Sequence, residues 1–92
     1  MEKIQILIVN DSEEARNQLR NILEEEQEFR IVGEAENGEE AQNKARRLLP
    51  DIILMDDEMP GVDGITATEK ITLNDPLVSV IIISMFSRPE YL

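Results

Sequence analysis

A four-residue apolar run, Ile52-Ile53-Leu54-Met55, ends abruptly in three acids, Asp56-Asp57-Glu58. A run with no polar face belongs to a strand buried on both sides, as in a parallel sheet covered by helices. Pro60-Gly61 and Asp63-Gly64 turn the chain immediately afterwards. The residue that closes this strand, Asp56, therefore presents a carboxylate at the carboxyl edge of an α/β sheet, where such sheets hold ligands.

A second, largely apolar run, Ile4 to Val9, ends in Asn10-Asp11. Two buried strands that each deliver an acid at their ends point to one composite site. Converging carboxylates repel each other and are costly to bury unless a cation neutralises them. Oxygen-only ligands favour a hard divalent ion, Mg²⁺ first.

The rest of the chain alternates in the same way. Ala15, Leu19, Ile22 and Leu23 form the apolar stripe of a helix capped by Asp11 or Ser12, with Glu13 and Glu14 in its first turn. Phe29 to Ala35 reads as a strand. Asn37-Gly38 turns the chain into a helix with Ala41, Ala45, Leu48 and Leu49 on its apolar face, stopped by Pro50. Residues 65–73 read as a weaker helix with Ile65 and Ile71 as core contacts, ended by Asn74-Asp75-Pro76. Val78 to Ser84 is a fourth strand. The order β-α-β-α-β-α-β with short connections predicts an α/β fold, a parallel sheet with helices on both faces and right-handed crossovers.

Ninety-two residues make one domain, spanning 1–92. Twenty acids against nine basic residues give a net charge of −11, which argues against a nucleic-acid surface on this chain. The chain has no cysteine and no histidine, which removes thiolate metal sites, disulfides and histidine bases. No stretch reaches membrane-spanning length, and no signal peptide precedes the first strand, so a cytoplasmic setting is expected.

Four segments together carry a family resemblance. They are Ile6-Leu7-Ile8-Val9-Asn10-Asp11-Ser12, residues 33–41 (Gly33-Glu34-Ala35-Glu36-Asn37-Gly38-Glu39-Glu40-Ala41), residues 50–64 with Asp56, Met59-Pro60 and Asp63-Gly64, and Val80 to Ser84 with Met85 and Glu90-Tyr91-Leu92. The chain resembles the receiver domain of bacterial two-component response regulators, in its LuxR-type branch. The resemblance implies a flavodoxin-like (βα)5 fold with sheet order 2-1-3-4-5 and a site between the first and third strands. It implies that Asp56 is the phosphoacceptor, taking a phosphoryl group from a phosphohistidine on a sensor histidine kinase. Asp11, Asp56 and the backbone carbonyl of Glu58 would hold Mg²⁺. Ser84 would hydrogen-bond the phosphoryl group and couple it to a loop shift. The Glu58 side chain stands where the family tunes phosphoryl hydrolysis. A receiver of this kind is not itself an enzyme, and in a full-length parent it would regulate transcription.

Two departures from the family pattern stand out. Asn10 replaces a customary acid, and an amide there can still bind a metal-held water. The sequence also stops before the fifth strand, with its lysine and aromatic; Lys3, Lys44 and Lys70 match no such position. Ser87-Arg88-Pro89-Glu90 announces a helix that is not continued. The expectation is therefore a C-terminally incomplete receiver whose apolar fourth strand is an open edge, which invites a homo-oligomer. Such a fragment could act as an assembly or strand-exchanged module without phosphotransfer competence. Asp57 is the rival acceptor, and strand alternation sends it to the face opposite Asp56. A nucleotide or flavin binder on the same architecture is disfavoured, because no Gly- or Ser/Thr-rich phosphate loop follows the first strand and Asn10-Asp11-Ser12-Glu13-Glu14 would repel a phosphate without a metal.

Overall fold

A computed structural model of the chain describes residues 2–59 and 61–83. Seven elements alternate as the periodicities require: β1 (Ile4–Val9), α1 (Glu13–Glu24), β2 (Phe29–Ala35), α2 (Gly38–Leu48), β3 (Ile52–Asp56), α3 (Gly64–Asn74) and β4 (Ser79–Ile83). The strands form one parallel sheet in the order β2-β1-β3-β4. This agrees with the receiver-type order over the four strands described. β1 and β3 lie side by side, with Val9 opposite Met55, so the residues that follow them emerge together at one edge.

Apart from Gln5 and the terminal Asp56, the central strands are apolar because each supplies two cores. Leu7 and Val9 of β1 join Ile53 and Met55 of β3 under α2 and α3, together with Ala35, Ala41, Ala45, Ala67 and Ile71. Ile6, Ile8 and Leu54 point the other way, where Leu19 and Leu23 of α1 pack over them. The period of two persists, but both of its phases are buried.

Each helix starts at a side-chain cap. Ser12 accepts the Ala15 N–H at 3.1 Å, Asn37 accepts the Glu40 N–H at 2.8 Å, and Asp63 accepts the Thr66 N–H at 2.7 Å. The cap of α1 is thus Ser12, which leaves Asp11 outside the helix.

Three expected core contacts are corrected. Ile22 is 64% exposed, because the face of α1 that packs is the i, i+4 line through Ala15, Leu19 and Leu23. Leu49 is also 64% exposed: it is the C-cap of α2 at φ 49°, a left-handed conformation that swings it off the helix stripe. Ile65 is 59% exposed, since α3 turns Ala67 and Ile71 to the sheet, and Ile65 lies two residues from Ala67 on the far side. Val78 is buried just before β4 rather than within it. β4 is the edge of the described sheet and leaves Ile81 and Ile82 partly exposed. No helix among the described residues is long and apolar enough to cross a membrane.

Candidate functional site

At the carboxyl ends of β1 and β3 lies an open cavity of about 400 Å³. Asn10, Asp11, Ser12 and Glu14 line it from the β1–α1 side, and Asp56, Asp57 and Glu58 from the end of β3. Among the described residues no lysine or arginine lines this cavity. The two acids expected to converge, Asp11 and Asp56, do share it.

Asp56 is the last residue of β3 and only 9% exposed. Burial pushes its pKa above the ordinary carboxylate value; the Glu58 N–H works against this, and the charges of Asp11 and Asp57 add to the rise. The Glu58 N–H donates to Asp56 Oδ1 at a long 3.4 Å, and no cationic side chain among the described residues lines the cavity beside it. Asp56 thus carries a poorly compensated charge facing an opening.

Its backbone is fixed from behind by the start of α3. A Cβ on Gly64 would fall 2.0 Å from the Asp56 carbonyl oxygen. Only a glycine lets the helix approach so closely. In the same way a Cβ on Gly38, at the start of α2, would fall 2.4 Å from the Val62 carbonyl oxygen. The two contacts hold the loop after β3 between two helix starts.

Asn10 is buried at 3% exposure and held at three points. Its N–H donates to the Ala35 carbonyl at 3.0 Å, its Oδ1 accepts the Ser12 N–H at 2.9 Å, and its carbonyl accepts from Arg16 at 2.7 Å. The side-chain oxygen is therefore already engaged in shaping the turn that carries Asp11.

Asp57 departs from expectation. β3 ends at Asp56, so alternation no longer governs the next residue, and Asp57 lines the same cavity. Ser84 lies outside the described residues, as do Met85 and the segment 87–92. The three lysines lie elsewhere. Lys44 bonds Glu40 at 2.9 Å and the Glu34 carbonyl, Lys3 sits with Gln5 and Asp51 near the start of β1, and Lys70 is exposed on α3.

Among the described residues no three acidic side chains converge as a ready-made metal cage. The acidic residues that line the cavity are Asp11, Glu14, Asp56, Asp57 and Glu58, with Asp11 and Asp56 the pair delivered by the ends of β1 and β3. Mg²⁺ is commonly held by one or two carboxylates while it keeps several waters, so this pair fits it better than Ca²⁺, which takes six to eight oxygens.

The sheet order, the paired strand-end acids and the glycine-backed loop together define a receiver domain of two-component signalling. The chain belongs to this family: the model of the response regulator receiver domain matches residues 6–92. A protein-glutamate methylesterase/protein-glutamine glutaminase of Carboxydothermus hydrogenoformans is 46% identical over 88 residues, covering 96% of this chain and 25% of the relative. The transcriptional regulatory protein DegU of Brevibacillus brevis is 38% identical over 89 residues, covering 97% of this chain and 38% of the relative. The chain thus spans well under half the length of these curated relatives. Among solved structures, a LuxR-family two-component response regulator from Aurantimonas superposes with a TM-score of 0.87 at 30% identity, covering 98% of this chain and 64% of that one. The CheX–CheY–BeF3–Mg²⁺ complex from Borrelia burgdorferi gives a TM-score of 0.86 at 34% identity, covering 98% and 68%.

One arrangement carries no signal in the sequence. Glu34 of β2 receives Arg16 at 2.9 Å on one oxygen and Arg20 at 2.6 Å on the other. Arg16 and Arg20 are one turn apart on α1, a spacing that solvated helix faces also show.

Proposed function

We propose that this chain is the phosphoacceptor part of a response regulator, and that Asp56 takes the phosphoryl group from a phosphohistidine of a sensor histidine kinase. The observation that carries this is a buried, poorly compensated Asp56 carboxylate facing a cavity that Asp11 shares. In the transfer, an Asp56 oxygen attacks phosphorus, the new P–O bond forms as the P–N bond breaks, and the electron pair leaves with the imidazole nitrogen.

A phosphoryl group brings further negative charge into a pocket lined by acids. Bound Mg²⁺ would offset that charge, which is most of what phosphoryl transfer asks of a protein. Asp11, Asp56 and the Glu58 carbonyl would hold it, and Asn10 could add a contact through water. Asp56 acts as the nucleophile in its ionised form, which the cation favours over the protonated form that burial promotes. Asp57 and Glu58 line the same cavity as the acceptor, and on the family pattern Glu58 would influence water near the acyl phosphate. Ser84 would donate its hydroxyl to a phosphoryl oxygen. The BeF3 and Mg²⁺ in the structurally similar Borrelia complex support the reading.

In a longer parent the domain would control an output, and the likeness to DegU favours transcription. The setting would be cytoplasmic, and DNA contact would fall to another domain, given the charge of −11 here. Self-association through β4 would rest on Ile81 and Ile82, which are exposed on the edge strand of the sheet among the described residues. A strictly monomeric mass by light scattering would remove that part.

Acetyl phosphate with MgCl2, followed by intact-mass spectrometry, tests the central assignment. One phosphoryl adduct is expected on the wild type and on Asp57→Asn, and none on Asp56→Asn. An adduct retained by Asp56→Asn and lost by Asp57→Asn would transfer the role to Asp57.

A further inference from the structure

We infer that Arg16 is a positioning residue for the acidic site, acting on Asp11 through the backbone of Asn10. It stands one turn into α1, with a side chain only 14% exposed. One guanidinium nitrogen donates to the Asn10 carbonyl at 2.7 Å, and Nε donates to Glu34 Oε1 at 2.9 Å. The planar fork therefore ties the turn between β1 and α1 to Glu34, near the carboxyl end of β2.

Glu34 is in turn held rigidly. Arg20 donates to its Oε2 through two nitrogens, at 2.9 and 2.6 Å, and also bonds Glu24 at 2.9 Å. Lys44 of α2 bonds the Glu34 carbonyl and, at 2.9 Å, Glu40. Elements on both sides of the sheet thus brace the group that aims Arg16.

The Asn10 carbonyl immediately precedes Asp11, so the peptide that orients the Asp11 backbone is the one Arg16 grips. Asp11 is exposed, and none of the side-chain hydrogen bonds among the described residues holds its carboxylate. Its placement toward Asp56 depends on this peptide and on the Asn10 Oδ1 bond to the Ser12 N–H. A guanidinium suits the task because two fixed donors in one plane serve two acceptors at once; an ammonium is a point charge without that fork. Arg16 does not line the cavity, so it is not a ligand or a reacting group.

This inference rests on the proposed metal-dependent role of the site, and two readouts on the 92-residue chain separate them. The first is MnCl2 affinity by water-proton relaxation in the wild type, R16A, R16K and, as a destabilised control in the opposite core, I71V. Loss of an outer-shell contact costs about 10–100-fold in metal affinity, so a weakening of about 10-fold is expected in R16A. A smaller loss is expected in R16K, and none in I71V at a matched fall in urea midpoint. The second readout, taken without metal, is amide exchange at Ser12, expected to quicken about 10-fold in R16A, the scale of one lost hydrogen bond, while Leu7 is unchanged. If the wild type binds no Mn²⁺, the metal reading falls and the exchange readout alone decides the role of Arg16. Unchanged Ser12 exchange, or R16A affinity equal to that of I71V, would overturn the inference. Should R16A fail to fold, wild-type values for both readouts in R16K would overturn it equally.

Discussion

Gly64 abuts the carbonyl of Asp56 so closely that a Cβ on the glycine would lie 2.0 Å from that oxygen. The first turn of α3 and the last residue of β3 are thereby in direct backbone contact. The glycine serves closeness here, not an unusual dihedral angle. Asp56 cannot move back into the sheet, and its carboxylate is left facing the cavity.

Gly64→Ala should destabilise the fold by about 2–3 kcal/mol, as overpacking against backbone does. It should also displace Asp56 and slow its phosphorylation by acetyl phosphate more than the stability loss explains. Urea unfolding and the rate of adduct formation, measured together, check this. A variant as stable as the wild type would show that the two segments separate easily.

Asp56→Asn should raise stability in metal-free buffer at neutral pH, by about 0.5–2 kcal/mol, the usual gain when a strained functional group is relieved. The sign follows from the raised pKa. An acid that binds its proton more tightly when folded stabilises the fold at low pH and loses that contribution as pH rises through the folded value. At neutral pH the wild type therefore holds an unfavourable charge that the amide lacks. Added MgCl2 should narrow the gap by stabilising only the wild type. Urea midpoints with and without MgCl2 measure both effects.

Asp11→Asn should weaken Mg²⁺ binding by about 10-fold or more, since it removes one of the two strand-end carboxylates proposed to hold the ion. It should cost little stability without metal, because Asp11 is exposed and repels Asp56. Calorimetric titration with MgCl2 is the check. Equal affinity in the two proteins would place the ion elsewhere.

Glu34→Gln should cost about 1 kcal/mol at neutral pH, allowing for solvent screening of a partly exposed group. Burial alone would raise the Glu34 pKa, but hydrogen bonds from Arg20 and Arg16 and their charges outweigh it and hold the carboxyl below its ordinary value of 4.5. A depressed pKa means that this stability is fully present above the ordinary value and fades as pH falls through the folded one. The difference between wild type and variant should therefore shrink below about pH 4.5 and vanish under stronger acid. Urea midpoints across that range test the sign.

The alternation of strands and helices, a cap at Asp11 or Ser12, the turns at Asn37-Gly38 and Asp63-Gly64, and the strand-end acids Asp11 and Asp56 were legible in the chain itself. Each depends on local periodicity or on a side chain bonding a backbone group three residues away, and such signals need no knowledge of the rest of the fold. Ile22, Leu49 and Ile65 were misplaced because an apolar residue reports that it can be buried, not which neighbour covers it. Asp57 was misplaced because alternation holds only while a strand lasts, and where β3 ends was decided by the packing of α3 against Asp56. The bond from Arg16 to Glu34 joins residues eighteen positions apart and exists only because β2 lies beside β1 at the sheet edge under α1. Sequence alone determined which elements form and which acids end them. Tertiary structure decided which of those acids share a cavity and what holds them there, because those distances are set by strand order and helix approach rather than by spacing along the chain.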